Sequence, residues 1–290
     1  MNIGFIGLGV MGMPMAANVI RHSGHAVWGF DTVSQKKQTF TDLGGIWTDD
    51  PGAIYQNCQI ILQMLPTHQT IIDSVTQAIA LSPAGTIVVD MSSAAPDIII
   101  DLHSKAERAG IGLVDAPVSG GNPMAIAGTL AIMAGGREKD VQAVLPVLQC
   151  MGHPVYTGGP GSGDMTKLVN NSIGGAMLAA LAEGYAFAEK AGIDLQTTFE
   201  ATRTGFVGGP LYENKVPKII AHDYEPGARI AVHRKDLLNA KQYSHALGID
   251  LPMTDVALLI MDWMKDNGLI DADQSAMIEY FKEKMHLPRT

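Results

Sequence analysis

A chain of 290 residues is long for one hydrophobic core, so we expect two domains. Hydrophobic residues make up 47% of the chain and charged residues 17%, a composition typical of folded rather than disordered proteins. The net charge of -9 argues against nucleic acid as a partner, because a phosphate backbone requires an excess of lysine and arginine.

The first half of the chain alternates short apolar runs with helical patterns. The apolar runs, each typical of a buried strand, are 3–6, 26–30, 60–65, 86–90 and 112–115. The helical patterns between them include 13–21, 34–43 and 97–109. This alternation predicts an α/β fold with a doubly wound parallel sheet, which binds ligands at the carboxyl ends of its strands.

From residue 164 onward the pattern becomes helical. Residues 164–191 predict one helix about 40 Å long at 1.5 Å per residue. It is apolar nearly all round, so we expect it to be buried, and its polar residues argue against a membrane span. Further helical patterns lie near 196–204, 235–247, 252–266 and 274–285. We therefore expect an all-α second half that a long helix joins to the first.

The sequence indicates neither a metal site nor export. Cys58 and Cys150 lie far apart without a metal-binding spacing. No stretch reaches the roughly 18 uninterrupted apolar residues that a membrane span needs, and the N-terminus lacks the basic segment of a signal peptide. We therefore expect a soluble, cytoplasmic protein without a bound metal, whose cysteines are reduced.

A glycine-rich motif follows the first predicted strand. It has the form G-x-G-x-x-G and comprises Gly7, Leu8, Gly9, Val10, Met11 and Gly12. The glycines permit a tight turn, an approach of the backbone to pyrophosphate and close packing of helix on strand. The motif indicates a Rossmann-type dinucleotide-binding domain, which we assign to residues 1–163. An all-helical substrate and oligomerisation domain is assigned to residues 164–290.

Asp31 ends the second predicted strand, at the distance expected for a carboxylate that binds the ribose hydroxyls. Its charge repels a 2′-phosphate, and no arginine follows it to accommodate one. We therefore predict NAD as the cofactor, with NADP less favoured. Lys36 and Lys37 argue the other way, because they are able to reach the same region.

Further motifs follow in order along nearly the whole chain. They are the opening run 4–16, Met64-Leu65-Pro66, Asp90-Met91-Ser92-Ser93, the loop 115–121, Gly161-Ser162-Gly163 with Lys167 and Asn170-Asn171, and Lys235-Asp236-Leu237. In sequence and order they resemble the β-hydroxyacid dehydrogenases. The resemblance implies hydride transfer between nicotinamide and a small hydroxyacid, and thus a small carboxylate as the substrate. From the net charge and the lack of a long apolar stretch we expect no nucleic-acid or membrane partner.

The resemblance also implies roles for individual residues. Lys167 would be the acid/base that exchanges a proton with the reacting oxygen, which requires an amine pKa below the usual value of about 10.4. Asn171 lies one helical turn further and would hold the lysine or the substrate hydroxyl. The substrate residues would be Ser119, Gly120, Gly121, Asn170 and Lys235. Beside the glycine-rich motif, the cofactor residues would be Asp31, Met64, Leu65, Pro66, Thr70, Ser93 and Lys235.

Within this family, the stretches 122–130, 229–237 and 272–276 are similar to tartronate semialdehyde reductases, which form D-glycerate and NAD from tartronate semialdehyde and NADH. Residues 208–212 depart from the family pattern, where relatives carry a serine and a bulkier side chain. The alternatives are 3-hydroxyisobutyrate or another C3–C5 hydroxyacid as the substrate. A different class is a catalytically silent NAD-binding sensor, against which Lys167 and Asn171 argue.

Imine reduction on a related fold is a further alternative. Enzymes of that group usually replace the catalytic lysine, so Lys167 argues against it. The long apolar helix also carries a row of small residues, namely Gly174, Gly175, Ala176, Ala179 and Ala180. Because one small domain cannot bury so much apolar surface, we predict a homodimer or homotetramer.

Overall fold

The computed structural model describes residues 1–289, which form two compact units. The first unit ends at Lys167 and the second begins at Leu168. The first unit is an α/β sheet domain, and the second is helical. This arrangement confirms the predicted fold class.

Within residues 1–289, nine strands form one sheet. They are β1 (Asn2–Ile6), β2 (Ala26–Phe30), β3 (Ile46–Trp47), β4 (Ile60–Gln63), β5 (Ile87–Asp90), β6 (Gly112–Asp115), β7 (Val118–Ser119), β8 (Leu130–Gly136) and β9 (Gly152–Gly158). Their order is β3-β2-β1-β4-β5-β6-β8-β7, with β9 beside β8. The strands from β3 to β6 pair in parallel, whereas β8 runs antiparallel to β6 and β7.

Helices cover both faces of this sheet. They are α1 (Gly12–His22), α2 (Lys36–Asp42), α3 (Pro51–Asn57), α4 (His68–Leu81), α5 (Pro96–Arg108), α6 (Gly121–Ala127) and α7 (Glu138–Leu148). Successive strand residues point to opposite faces. Leu62 therefore packs in the core that contains Met15 of α1, and Ile61 in the core that contains Val75 of α4. Both cores are apolar, which explains the continuous apolar runs of the strands.

A long helix, α8 (Ser162–Lys190), begins in the first unit and continues into the second. The other helices of the second unit are α9 (Leu195–Thr202), α10 (Pro210–Ala221), α11 (Ile230–Ala246), α12 (Pro252–Asp266) and α13 (Ile278–Lys284), with a 3₁₀ turn at Gln274–Met277. The sequence did not indicate α10, because its internal Pro217 interrupts the helical pattern.

The prediction that α8 is buried all round is wrong for the single chain. Leu178, Ala182 and Tyr185 lie in the core of the helical unit. The apolar stripe of α8, which we define as Val169, Ile173 and Met177, is 54%, 56% and 43% exposed. These residues recur every four positions, so they share one face of the helix. Among residues 1–289, no helix is long and apolar enough to span a membrane.

Candidate functional site

The glycine-rich motif forms the turn between β1 and α1. Gly7 has a φ of +90°, which side-chain-bearing residues rarely adopt, and a Cβ there would overlap the Met64 carbonyl oxygen. A Cβ at Gly12 would overlap the carbonyl oxygen of Gly7. At Gly9 a Cβ would meet nothing within 4 Å, so this part of the turn faces open space. The turn therefore has the form that a pyrophosphate-binding loop requires.

Asp31 is tied to this turn. Its Oδ2 accepts hydrogen bonds from the backbone N–H of Leu8 at 2.7 Å and from Lys36 Nζ at 2.9 Å, and its Oδ1 accepts from the Val33 N–H at 2.8 Å. Burial raises the pKa of Asp31, but the bonds from Lys36, Val33 and Leu8 outweigh it and leave the pKa below its ordinary value. Asp31 is thus ionised at the end of β2, with a lysine beside it.

The loops after β4 and β5 are joined by a hydrogen-bond chain. The Leu65 N–H donates to Ser92 Oγ at 2.8 Å, and this hydroxyl donates to Asp90 Oδ1 at 2.6 Å. The predicted cofactor residues Met64, Leu65, Pro66 and Ser93 therefore lie on two connected loops. Thr70 is exposed in the first turn of α4, where its N–H donates to Thr67 Oγ1.

The predicted substrate residues Ser119, Gly120 and Gly121, which we call the substrate loop, lie where β7 ends and α6 begins. Gly120 has a φ of +133° and Gly121 a φ of +67°, values that favour glycine. A Cβ at Gly121 would meet only Pro123 Cδ, at 3.9 Å, so space is open there. Asn122 Nδ2 donates to the Val10 carbonyl oxygen at 2.7 Å. This bond brings the substrate loop next to the glycine-rich turn. Ser119 is the last residue of β7.

Lys167 lies in the second turn of α8 and contacts the strand before the substrate loop. Its Nζ donates to the Val118 carbonyl oxygen at 2.9 Å, directly before Ser119. The first turn of α8 is held by Asp115 at the end of β6. Within the first unit, the structure thus brings the predicted acid/base next to the predicted carboxylate-binding loop.

The remaining predicted residues meet in the helical unit. Asn171 Nδ2 donates to Asp236 Oδ2 at 2.9 Å, and Asn170 Nδ2 donates to Asn171 Oδ1 at 3.1 Å. Lys235 Nζ pairs with Asp236 Oδ1 at 3.2 Å. Asn170, Asn171 and Lys235 are therefore gathered around the Asp236 carboxylate. Lys167 belongs to the first unit, although it and Asn171 lie one turn apart on α8.

Sequence reasoning gave no role to three residues that organise these groups. Asp115, Asn122 and Asp236 were noted only as parts of motifs. Asn122 and Asp236 each directly follow an assigned residue, and Asp115 begins the loop motif 115–121, so position in the sequence was the available signal. Apart from Lys235, which pairs with the adjacent Asp236, the partners described above are 46 to 112 residues away in sequence, which no local pattern reveals.

No group of three or more histidine, cysteine, aspartate or glutamate side chains among residues 1–289 is placed to hold a metal ion. The polar groups of the site are instead amides, hydroxyls, carboxylates and two lysines. This donor set fits an organic cofactor with phosphates and a carboxylate substrate.

Two family profiles together cover most of the chain. The NAD binding domain of 6-phosphogluconate dehydrogenase matches residues 2–159. The NAD-binding domain of NADP-dependent 3-hydroxyisobutyrate dehydrogenase matches residues 161–281. The first profile matches the α/β unit with its glycine-rich turn, and the chain therefore contains an NAD(P)-binding domain.

Curated relatives and solved structures match over nearly their full length. The chain is 34% identical to 2-(hydroxymethyl)glutarate dehydrogenase of Eubacterium barkeri, over 97% of this chain and 95% of the relative. It is 32% identical to 2-hydroxy-3-oxopropionate reductase of Escherichia coli, over 96% of each. The structure of Mycobacterium tuberculosis 3-hydroxyisobutyrate dehydrogenase with L-serine superimposes with a TM-score of 0.87 at 30% identity, over 97% of this chain and 99% of that one. The chain belongs to the β-hydroxyacid dehydrogenases, NAD(P)-dependent oxidoreductases that act on CH–OH groups.

Proposed function

We propose that this chain transfers a hydride between NAD(H) and a small β-hydroxyacid, with Lys167 as the acid/base. The observation that carries the proposal is the 2.9 Å hydrogen bond from Lys167 Nζ to the Val118 carbonyl oxygen. It holds a proton-carrying amine at the residue directly before Ser119, in the unit that contains the glycine-rich turn. The family assignment supports the same chemistry.

In this proposal the cofactor, when bound, gives or takes the hydride at nicotinamide C4. The turn 7–12 would hold the pyrophosphate through its amides, and Asp31 would hold the ribose hydroxyls. The loops around Leu65 and Ser93 would flank the nicotinamide side. Lys167 would donate a proton to the developing alkoxide during reduction and remove it during oxidation. Asn171, fixed by Asp236, would orient the reacting oxygen.

The names of the relatives suggest a common substrate fragment. The hydroxyacids 2-(hydroxymethyl)glutarate, 3-hydroxyisobutyrate and glycerate, as well as L-serine, are all of the form HOCH2–CH(R)–COO⁻. They differ only in the group R. We assign the carboxylate of this fragment to the amides and hydroxyl of residues 119–121, and its hydroxymethyl carbon to hydride transfer.

Tartronate semialdehyde, with R a hydroxyl, is our first candidate, supported by the stretches 122–130, 229–237 and 272–276. The 34% identity to 2-(hydroxymethyl)glutarate dehydrogenase supports a second candidate, with R a carboxyethyl arm. The test is kcat/KM with NADH for 2-hydroxy-3-oxopropionate, 2-methyl-3-oxopropionate and 2-formylglutarate. We expect the first to be highest. A higher kcat/KM for another of these compounds would make that compound the preferred substrate. Tight NADH binding without any turnover would favour the catalytically silent sensor.

Cofactor preference is a separate prediction. We expect kcat/KM to be higher with NADH than with NADPH, because the ionised Asp31 carboxylate repels a 2′-phosphate. Both cofactors are compared at one saturating substrate concentration. An equal or higher value with NADPH would show that Lys36, which pairs with Asp31 at 2.9 Å, turns to the phosphate instead.

Gly121→Ala tests the carboxylate loop. We expect a higher KM for the substrate, because φ at position 121 is +67° and an alanine there would shift the loop backbone. The Kd for NADH should change little. The matched control is Gly24→Ala, at a similar φ of +68° in an exposed turn with open space for a Cβ. A loss of NADH binding in Gly121→Ala would assign the loop to the cofactor instead.

We further propose a homodimer or homotetramer built through the helical unit. The support is the apolar stripe of α8 together with Met253, Val256 and Leu259 on α12, which are 60%, 48% and 57% exposed. Large exposed apolar surfaces of this kind typically mark contacts between proteins. Light scattering should therefore give a multiple of the chain mass of 30.8 kDa.

Ile173→Lys should reduce the oligomer to a monomer, because a buried lysine without a partner is costly. Val155→Lys, at an exposed position of the sheet unit, is the control and should leave the mass unchanged. A monomer mass of the unmodified protein at micromolar concentrations would contradict the oligomer.

A cytoplasmic location stays a prediction. Its support is the pair of cysteines, because Cys58 and Cys150 are both free thiols. Burial raises the pKa of Cys58 to about 12, so this thiol is unreactive at neutral pH.

A further inference from the structure

The carboxylate of Asp115 is almost completely buried, with 1% of the residue exposed, at the end of β6. Three backbone N–H groups of the α8 start point at it. Oδ1 accepts from Gly161 at 3.0 Å, while Oδ2 accepts from Gly163 at 2.8 Å and from Asp164 at 3.1 Å. The start of a helix carries unsatisfied N–H groups and a partial positive charge, so an ionised carboxylate is the acceptor that suits it.

The segment that follows β6 also contacts Lys167. Three residues after Asp115, the Val118 carbonyl accepts the hydrogen bond from Lys167 Nζ. Residues 115–118 therefore hold both the backbone of the first turn of α8 and the amine that projects from its second turn. All of these groups lie in the first unit.

The elements around this junction are closely packed. A Cβ at Gly135 of β8 would come within 2.5 Å of the Gly163 nitrogen and 2.7 Å of Asp115 Oδ2. On the other side, Asp164 Oδ1 accepts from the Ala94 N–H at 3.0 Å, which ties the helix start to the loop after β5. Because Asp115 binds backbone N–H groups, a change of its hydrogen bonds acts on the helix start and not on a side chain alone.

We infer that Asp115 is a positioning residue for Lys167, and that its ionised carboxylate sets where α8 begins and hence where the lysine amine stands relative to the substrate loop. This inference rests on the proposed function, in which Lys167 is the acid/base. Asparagine keeps the shape of the side chain but has one acceptor oxygen, and its NH2 group would face an amide N–H. At least one N–H of the helix start would lose its partner.

The protonation state of Asp115 gives the inference a pH dependence. Burial raises the pKa of Asp115 to about 6, although the amides of Gly161, Asp164 and Gly163 act in the opposite direction. The carboxylate therefore predominates above about pH 6, and the acid, whose O–H would face an amide N–H, predominates below it. We expect kcat to fall as the pH drops below about 6.

Other titratable groups lie on the elements that pack against β6. Asp90 of β5 is the register partner of Asp115, and burial raises its pKa as well. Helix α8 contributes Asp164 and Lys167, and β8 contributes none. The titratable side chains of α5 are Asp97, Asp101, His103, Lys105, Glu107 and Arg108. Those of α7 are Glu138, Lys139 and Asp140, of which Asp140 pairs with Arg137. Wild type and Asp115→Asn share all of these groups, so the pH profile is compared between the two proteins.

Stability separates a positioning role from a structural one. The folded chain holds the Asp115 proton more tightly than the unfolded chain, whose aspartate pKa is near 3.8, so the contribution of this group to stability falls as the pH rises from about 4 to 6. Asparagine removes this buried charge but leaves an N–H of the helix start without a partner, so the two effects oppose each other and the melting temperature at pH 7 should change little. We expect kcat of Asp115→Asn to fall about 10- to 100-fold, as for other small displacements of reacting groups, with the Kd for NADH unchanged.

The experiment compares Asp115→Asn with wild type and with Asp50→Asn, whose exposed carboxylate accepts from the Gly52 N–H at the start of α3. kcat is measured from pH 5 to 8. Only Asp115→Asn should lose kcat, and its residual activity should lack the wild-type fall below about pH 6. Wild-type kcat in Asp115→Asn, an unchanged acidic limb, or a kcat loss fully explained by a lower melting temperature would overturn the inference.

Hydrogen exchange at the Gly163 and Asp164 amides provides a readout that needs no turnover. Exchange should be faster in Asp115→Asn and unchanged in Asp50→Asn, and acetylation of the Lys167 amine should accelerate in parallel. Unaltered exchange and acetylation would overturn the inference even if kcat fell. Turnover that survives in Lys167→Ala would instead contradict the proposed function, so the two failures are distinguishable.

Discussion

Lys167→Ala should lower kcat by about 10²- to 10⁴-fold, the usual contribution of a positioned acid/base. The alanine removes the amine that would exchange a proton with the reacting oxygen. The Kd for NADH should be retained, because the proposed pyrophosphate and ribose contacts are made by the glycine-rich turn and Asp31. Steady-state turnover and NADH fluorescence titration measure the two quantities on the same preparation.

Lys167→Arg should be nearly as inactive, because a guanidinium remains charged and cannot act as a base. The control is Lys105→Ala, which removes an exposed lysine that pairs with Asp101 of its own helix at 2.7 Å. Near-wild-type kcat in a folded Lys167→Ala protein would contradict the assignment, and Lys235 would then be the next residue to replace.

Asp273→Ala should reduce the free energy of unfolding by about 3–5 kcal/mol, the cost of leaving one member of a buried ion pair alone. Lys215 Nζ lies 2.8 and 3.0 Å from the two Asp273 oxygens, and both residues are buried. The same carboxylate accepts from the N–H groups of Gly227, Ala228 and Ser275. The alanine therefore leaves a buried ammonium and three backbone N–H groups without the carboxylate that they bind.

Urea denaturation measures this loss. Asp101→Ala is the matched control, since its i,i+4 pair with Lys105 is solvent-exposed and worth less than about 1 kcal/mol. A change below about 1 kcal/mol in Asp273→Ala would mean that water or a rearranged Lys215 side chain replaces the carboxylate, and that this pair does not organise the helical unit.

The sheet was predictable from sequence because its central strands are buried on both faces. Continuous apolar runs such as 26–30 and 112–115 leave little choice of structure, and the observed β2 and β6 have those same bounds. The apolar runs did not predict β8 and β9. These strands lie outside the central parallel strands β1 to β6 and carry glycines and exposed side chains such as Val155. The prediction that α8 is buried was wrong for a different reason. Apolar composition does not say whether a neighbouring helix or a second chain covers a face.

The functional site, too, was predictable from sequence only in part. The glycine-rich turn was predictable because its chemistry is local: a strand, three glycines and a helix follow one another between residues 2 and 22. The roles of Asp115, Asp236 and Asp273 were not, because each carboxylate binds groups that only the fold brings near. Lys167 lies between these cases, since its motif indicated the residue but only the structure gave its contact with Val118.

Hydride transfer itself is the central claim, and isotope transfer tests it directly. NADH deuterated at C4 on the transferred side is incubated with the enzyme and 2-hydroxy-3-oxopropionate, and the product is analysed by mass spectrometry and NMR. We expect glycerate with one deuterium on its hydroxymethyl carbon, and only background incorporation with Lys167→Ala. Product without deuterium, or NADH that binds and is never oxidised by any aldehyde of the form OHC–CH(R)–COO⁻, would contradict the account.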